Sequence, residues 1–350
     1  MVKMNDHDII KKIQSIVKTP FFFKFLNDDC VAISLFDSDD IFEGIIRHHS
    51  DEDKLEILSL ISQLKNLEFL NLRKNCIRRV NFDFSELVKL EFLNLSSNYL
   101  GTVPRFIGNL NRLKYLSLGV NELTETPLFL SELDNLEYLY LHKNNIRIFD
   151  EGMENLKKIT HLNLLFNFSK AVPEFVGTLR NLKIFTWAVS SVKEFPKFLC
   201  ELKSLEYLTF ASSLIETLPE EFANLQNLKA AKLNKNKIRN LPDSITKMQN
   251  LEQLCLHGNK LESLPDDFSS LNKLEKLNLG LNRFKEIPSE LVHLKNLKWL
   301  GLYLNETAFS DNHLTNIETV IRERPFLSDN IESAIKDQIE DTFLEKLKGG

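Results

Sequence analysis

The sequence predicts an α/β solenoid, in which one short strand per turn builds a parallel sheet on the concave side and helical caps close both ends. Three observations predict it. A pattern LxxLxLxxNxL begins at Leu67, Leu90, Leu113, Leu136, Ile159, Leu182, Leu205, Leu228, Leu251, Leu274 and Leu297, and every step is 23 residues long. A fixed period of this length is the mark of a stacked array in which each turn buries its apolar face against its neighbours. Second, the apolar residues at the start of each copy alternate with polar or aromatic ones, as the two faces of a strand do. Third, the composition (43% apolar, 27% charged, formal net charge -5) is that of a water-soluble globular chain.

Residues 1–63 precede the array and are expected to cap it, because a terminal repeat must hide its core from water. Leu55, Leu58, Ile61 and Leu64 carry helical spacing after the acidic start Asp51-Glu52-Asp53. Two to four helices are expected over residues 5–63, with a break at the aspartates and serines of 37–40. Phe21-Phe22-Phe23-Lys24-Phe25-Leu26 is too short and too interrupted for a signal-peptide core. The chain is therefore expected in the cytoplasm or exported by a non-classical route; a leader removed before residue 1 is a third option.

Residues 64–308 hold eleven repeats, and each recurring position has a mechanical reason. The first, fourth and sixth positions, such as Leu251, Leu254 and Leu256, point inward from the strand. The ninth is Asn75, Asn98, Asn121, Asn144, Asn167, Asn236, Asn259, Asn282 and Asn305; its amide both donates and accepts, and so can satisfy backbone groups of adjacent turns. Proline follows at Pro104, Pro127, Pro173, Pro196, Pro219, Pro242, Pro265 and Pro288 and ends ladder pairing. Phe84, Ile107, Leu130, Met153, Val176, Leu199, Phe222, Ile245, Phe268 and Leu291 close the core from the convex side.

These motifs resemble the leucine-rich-repeat family in its 23-residue form, LxxLxLxxNxLxxLPxxIxxLxx, over residues 64–308. Within it the repeats are similar to those of spirochaetal, leptospiral-type bacterial proteins, and in the unit alone to intracellular Ras-suppressor-like proteins. The resemblance implies a horseshoe that binds proteins, with no catalysis by the repeats themselves.

Three consecutive repeats depart from the pattern. Ser169 stands where an apolar residue is usual, Ser190 and Ser213 replace Asn, and Phe185, Trp187 and Phe210 replace core aliphatics. Drift compensated by larger core side chains is one reading; a local change of curvature that shapes a binding surface is the other. The first and fourth repeats carry Asn81 and Asp150 in place of proline, read as drift. Residues 309–350 are expected to form a helical C-terminal cap, with one helix around Ile317, Val320 and Ile321 and a second through Ile331, Ile335, Ile339, Phe343 and Leu347. Docking of a partner helix or a membrane surface on that second helix is the other reading.

The residues show no catalytic set: HExxH, the P-loop and GxSxG are absent, His48-His49 is the only tight histidine pair, and Cys30, Cys76, Cys200 and Cys255 match no CxxC pattern. No enzyme activity, cofactor or metal is expected. Without a concentrated basic face nucleic acid is not an expected partner, and no apolar run is long enough to cross a membrane.

Function is expected on the concave face, whose outward side chains folding does not need. The third position reads Phe69, Phe92, Tyr115, Tyr138, His161, Ile184, Tyr207, Ala230, Gln253, Lys276 and Trp299, seven of the eleven aromatic if His161 is counted. At about 4.8 Å per strand they would form a ridge across the sheet. Tyr140, His142, Leu165, Phe166 and Val189 add to its middle, and Lys232, Asn234, Lys235, His257 and Lys276 lie toward the end. The expected partner-binding set is Phe92, Tyr115, Tyr138, Tyr140, His142, His161, Leu165, Phe166, Ile184, Tyr207, Lys232 and Lys235. Mutual stacking for sheet stability is the rival reading of the aromatics. The partner is expected to be a protein, met by a monomer or weak homodimer: a bacterial effector or adhesin-like module contacting host proteins, or an intracellular scaffold or regulator of a signalling protein. Phe106, Phe129, Phe175 and Phe198 each follow a proline by two residues. They either pack between adjacent repeats or mark a second contact surface.

Overall fold

A computed structural model describes residues 4–35, 45–78, 83–188, 191–303 and 305. The expected break at 37–40, Asn81, Val189, Ser190 and both C-terminal helices lie outside them. Described residues up to Ile159 form one compact unit and those from Thr160 onward a second.

The N-terminal unit opens on α1 (Asp6–Val17), whose start is capped by the Asn5 side chain accepting from the Asp8 N–H at 2.8 Å. Ile9, Ile10, Ile13 and Val17 form its buried face. The cap departs from the all-helical expectation. The phenylalanine-rich segment is β1 (Phe22–Leu26), paired antiparallel with β2 (Asp29–Ser34). The signal was Asn27-Asp28, both with positive φ, which makes the two-residue turn that hairpins favour. β2 pairs parallel with the first repeat strand, Ala32 opposite Phe69, and so covers an edge that would otherwise be open to pairing. α2 (Asp51–Ile61) follows the Ser50 cap; Leu58, Ile61 and Leu64 are buried as expected, while Leu55 is exposed.

Each repeat then contributes a strand to a parallel ladder. In the N-terminal unit these are β3 (Phe69–Asn71), β4 (Phe92–Asn94), β5 (Tyr115–Ser117) and β6 (Tyr138–Tyr140). The C-terminal unit holds β7 (His161–Asn163), β8 (Ile184–Ala188), β9 (Tyr207–Ala211), β10 (Ala230–Lys232), β11 (Gln253–Cys255), β12 (Lys276–Asn278) and β13 (Trp299–Gly301). Register advances by one repeat per strand, as in Phe69↔Phe92 and Gln253↔Lys276. Short 3-10 helices opposite the strands, such as Arg105–Asn109 and Glu220–Asn224, begin directly after the proline. Where Asp150 replaces proline its carboxylate accepts from the Gly152 N–H at 2.8 Å, so this substitution is a cap rather than drift.

The asparagine ladder does what its chemistry predicts. Asn98 donates to the carbonyls of Leu72 and Leu95 at 3.0 and 2.9 Å and accepts from the amides of Asn75 and Ile77 at 3.1 and 3.0 Å. In the seventh repeat the Ser213 hydroxyl donates to the Ala211 carbonyl, at 3.3 Å. There the sheet is longer. β8 and β9 run five residues, with Trp187 opposite Phe210 and Ala188 opposite Ala211. Phe195 adds ring contacts to Phe210 and Phe222, each at 5.2 Å.

The flank phenylalanines pack between repeats. Phe106 sits edge-on to Phe84 at 5.2 Å, and the rings of Phe129 and Phe198 lie over Gly108 and Gly177, where a side chain would be tight at Gly108 and would displace the ring at Gly177. All four cysteines are free thiols. Burial pushes Cys30 and Cys200 up to about 12 and Cys255 up to about 11. A disulfide-forming reagent is therefore expected to label only the half-buried Cys76 in the native chain, and the other three after unfolding. Fast native labelling of any of those three, read by peptide mass, would contradict their placement.

Candidate functional site

Strands of three residues present their third and fifth positions away from the 3-10 layer, and this outer face corresponds to the expected concave surface. It is described for each unit separately.

In the N-terminal unit the aromatic row is real. Phe69 stacks on Phe92 at 4.3 Å and Phe92 on Tyr115 at 4.2 Å, with ring planes 12° and 11° apart. Tyr115 also meets Tyr138 at 6.1 Å and Tyr140 at 5.4 Å, and Tyr140 meets the His142 ring edge-on. The 23-residue period holds identical positions one strand spacing apart, near the distance at which rings stack in an offset arrangement. The row is not water-facing, however: Phe69, Phe92 and Tyr115 are 1%, 0% and 0% exposed and Tyr140 is 4% exposed, whereas Tyr138 is half-buried. The His142 ring lies directly over Gly119, the same position one repeat earlier, and any side chain there would displace it.

The C-terminal unit presents a mixed face. Leu165, Tyr207 and Lys232 are half-buried, Ile184 is buried, and Phe166 and Lys235 are exposed. Burial, reinforced by Lys183, pushes the His161 imidazole down to about 4, and its Nδ1 sits 2.8 Å from the Thr160 hydroxyl. His161 is thus neutral at neutral pH. Its pKa is about 4 folded against about 6.5 unfolded, so the unfolded chain binds the extra proton first as pH falls. Stability is expected to drop across that window by on the order of 2 kcal/mol, from about 1.4 kcal/mol per pH unit reduced for partial exposure. His161→Asn should flatten the drop in denaturation midpoint between pH 6.5 and 4; an unchanged slope would refute the assignment. Farther along, Tyr303 lies over Gly280 and its hydroxyl reaches His257 Nδ1 at 3.2 Å.

Two positional rules escaped the sequence reading. The eighth residue of the repeat takes positive φ at Lys74, Ser97, Val120, Lys143, Phe166, Ser212, Lys235, Gly258 and Leu281. The fifth, where it is Asn, folds back on the backbone two residues on: Asn71 to Arg73, Asn94 to Ser96, Asn163 to Leu165 and Asn278 to Gly280, all near 3 Å. Comparing repeats column by column would have revealed the second rule; the first is hidden because only one of those residues is glycine. Phe168, 63% exposed beside Phe166, was also missed.

Among the described residues no helix is long and apolar enough to cross a membrane. Family models described as leucine-rich repeat region and leucine-rich repeat match residues 188–321 and 89–110. No curated protein matches the chain significantly. Among solved structures, a leucine-rich-repeat protein of Leptospira interrogans is 30% identical over 77% of this chain and 80% of its own, with TM-score 0.62. An internalin of Listeria monocytogenes is 23% identical over 90% and 86%, with TM-score 0.67, and shares the fold. A plant peptide hormone receptor solved in complex with RGF2 is 26% identical over 73% of this chain and 43% of that one, with TM-score 0.61. Period, asparagine ladder, parallel register and these likenesses agree: the chain belongs to the leucine-rich-repeat family, as a solenoid of that type.

Proposed function

We propose that the chain is a protein-binding module that engages its partner on the outer, concave face of the sheet. The fold class as a whole supports a protein-interaction role rather than an enzymatic one. The observation that carries the site is Phe166. It holds an aromatic side chain at φ 55°, in the left-handed region that favours glycine or asparagine, and keeps 46% of its surface exposed. The positive φ is shared by the eighth residue of the other repeats and belongs to the turn; what sets Phe166 apart is a large aromatic side chain left in water there. Binding energy at an interface comes mostly from such rigid aromatic anchors. Phe168, Leu165 and Tyr207 extend the apolar contact, while Lys232 and Lys235 supply positive charge that would steer an acidic partner and make association salt-dependent.

Phe166→Asp is expected to lower partner affinity at least a hundredfold with the denaturation midpoint unchanged. A pull-down beside circular dichroism checks it. Unaltered capture of the same partner removes Phe166 from the site, and lost folding makes it structural. Tyr138→Ala, tested alone, asks the same of the N-terminal unit.

The finer reading is a bacterial effector or adhesin-like protein contacting host proteins, supported by the Leptospira likeness. The four free thiols favour the alternative, an intracellular scaffold. Fractionation of the source cell separates the two: recovery in medium or envelope supports the first, a purely cytosolic pool the second.

A further inference from the structure

We propose that the edge of the C-terminal unit formed by the turns of repeats eight to ten docks this chain peripherally onto an anionic lipid surface. The turn after each strand presents its eighth, tenth and twelfth residues outward, because the ninth and eleventh are the buried asparagine and a buried apolar residue. In these three repeats the outward positions hold Lys235, Lys237, Arg239, Lys260, Arg283 and Lys285, with Glu262 the one carboxylate. No stretch of the sequence is itself basic, since the cations stand two residues apart in copies separated by 23. Stacking the copies about 4.8 Å apart gathers them. The chain as a whole carries a net charge of -5, and the residues just after each proline in the same repeats include Asp243, Asp266, Asp267 and Glu290. Positive charge is thus sorted to one edge.

These cations are also unneutralised. Lys183, Lys197, Lys229 and Lys298 of the same unit each hold a glutamate at 2.7–3.9 Å, whereas the six on this edge form no ion pair among the described residues. Two water-facing apolar side chains sit beside them. Leu281, at the eighth position, is 42% exposed, and its N–H donates at 2.8 Å to the carbonyl of Tyr303, which is 48% exposed. Clusters of about four to eight Lys and Arg draw a protein to an anionic leaflet. An apolar side chain that dips below the headgroups adds the second signal that stable attachment needs. Tyrosine, with an apolar ring and a polar tip, suits headgroup depth. Single-stranded nucleic acid would call for aromatic platforms under its bases, and a duplex for a helix or ribbon entering a groove; this edge offers lysine, arginine and leucine on turns. The cations spread over about 10 by 13 Å, two strand spacings by four extended residues, which suits a continuous field of charge better than a single bound anion.

The full chain is sedimented with vesicles of phosphatidylcholine alone and of phosphatidylcholine mixed with phosphatidylglycerol. Binding is expected to the mixed vesicles only, and to fall as salt is raised, because screening shortens the reach of the field. Lys237→Gln, Arg239→Gln, Arg283→Gln and Lys285→Gln together are expected to weaken it at least about a hundredfold, from about fivefold per charge, at unchanged circular dichroism. Leu281→Asn, at a positive φ that asparagine tolerates, is expected to weaken it roughly fivefold. No binding to the mixed vesicles overturns the proposal, as does equal binding to both compositions or a quadruple variant that binds like the unaltered chain. Capture of poly-glutamate or single-stranded RNA without vesicle binding also overturns it, and reassigns the edge to a soluble polyanion. Should the quadruple variant unfold, the exposed Arg239→Gln and Lys285→Gln, each alone, decide: a loss of about fivefold in either supports the edge, and none in both overturns it.

Discussion

Asn98→Ala is expected to destabilise the N-terminal unit by about 4 kcal/mol, among the largest effects open to a polar substitution here. The side chain is 5% exposed and makes five hydrogen bonds, to the carbonyls of Leu72, Leu95 and Ser96 and from the amides of Asn75 and Ile77. Alanine removes all five while leaving the backbone groups buried. Each orphaned group costs about 1–3 kcal/mol, less what a trapped water recovers. Asn98→Asp separates amide from oxygen. The carboxylate still accepts from Asn75 and Ile77, but it faces the Leu72 and Leu95 carbonyls without a proton to donate, so it should cost at least as much as alanine near pH 7. Denaturant titration measures both. A loss below 1 kcal/mol for alanine would mean that the ladder follows the fold rather than holding it. In a repeat array the damage should stay local, with exchange of amide protons rising in the first and second repeats first.

Phe222→Ala is expected to cost the C-terminal unit about 4 kcal/mol and Phe222→Leu less than half of that. The ring is 0% exposed and meets Phe195 at 5.2 Å, which meets Phe210 at the same distance. This cluster sits in the repeat where Ser213 takes the place of the ladder asparagine, and its apolar burial is expected to compensate for the shorter side chain. Alanine empties a ring-sized volume between repeats that their backbones cannot close, because their spacing is set by the strand ladder. The comparison with Met153→Ala, the equivalent position in a repeat with Asn144, tests the compensation: a smaller loss there is expected, and an equal one would show that the aromatic cluster contributes no more than an ordinary core side chain.

Both positions show how far the chain could be read unaided. The Asn98 prediction follows from period and chemistry, since a residue that both donates and accepts must sit where the chain turns inward. The cluster at Phe222 was visible as a departure at Phe210 and Ser213 but not as a solution: the two-residue lengthening of β8 and β9 depends on pairing between strands 23 residues apart. The N-terminal hairpin was missed for a related reason. Its phenylalanines read as helix or strand alike, and only the positive φ of Asn27 and Asp28, with an edge for β2 to pair with, decides the matter.

The candidate site divides the same way. Sequence by itself determined the fold family, the register, which positions face outward, and that Phe69, Phe92, Tyr115 and Tyr138 form one row, because a fixed period makes position in the repeat equivalent to position in space. Tertiary structure decided which of those outward residues meet water. It buries Phe92 and Tyr115, leaves Phe166 exposed at the positive-φ turn, and holds His161 neutral. Exposure depends on what else packs on a face, and that contact is set by residues distant in the chain, about which a local repeat carries no information.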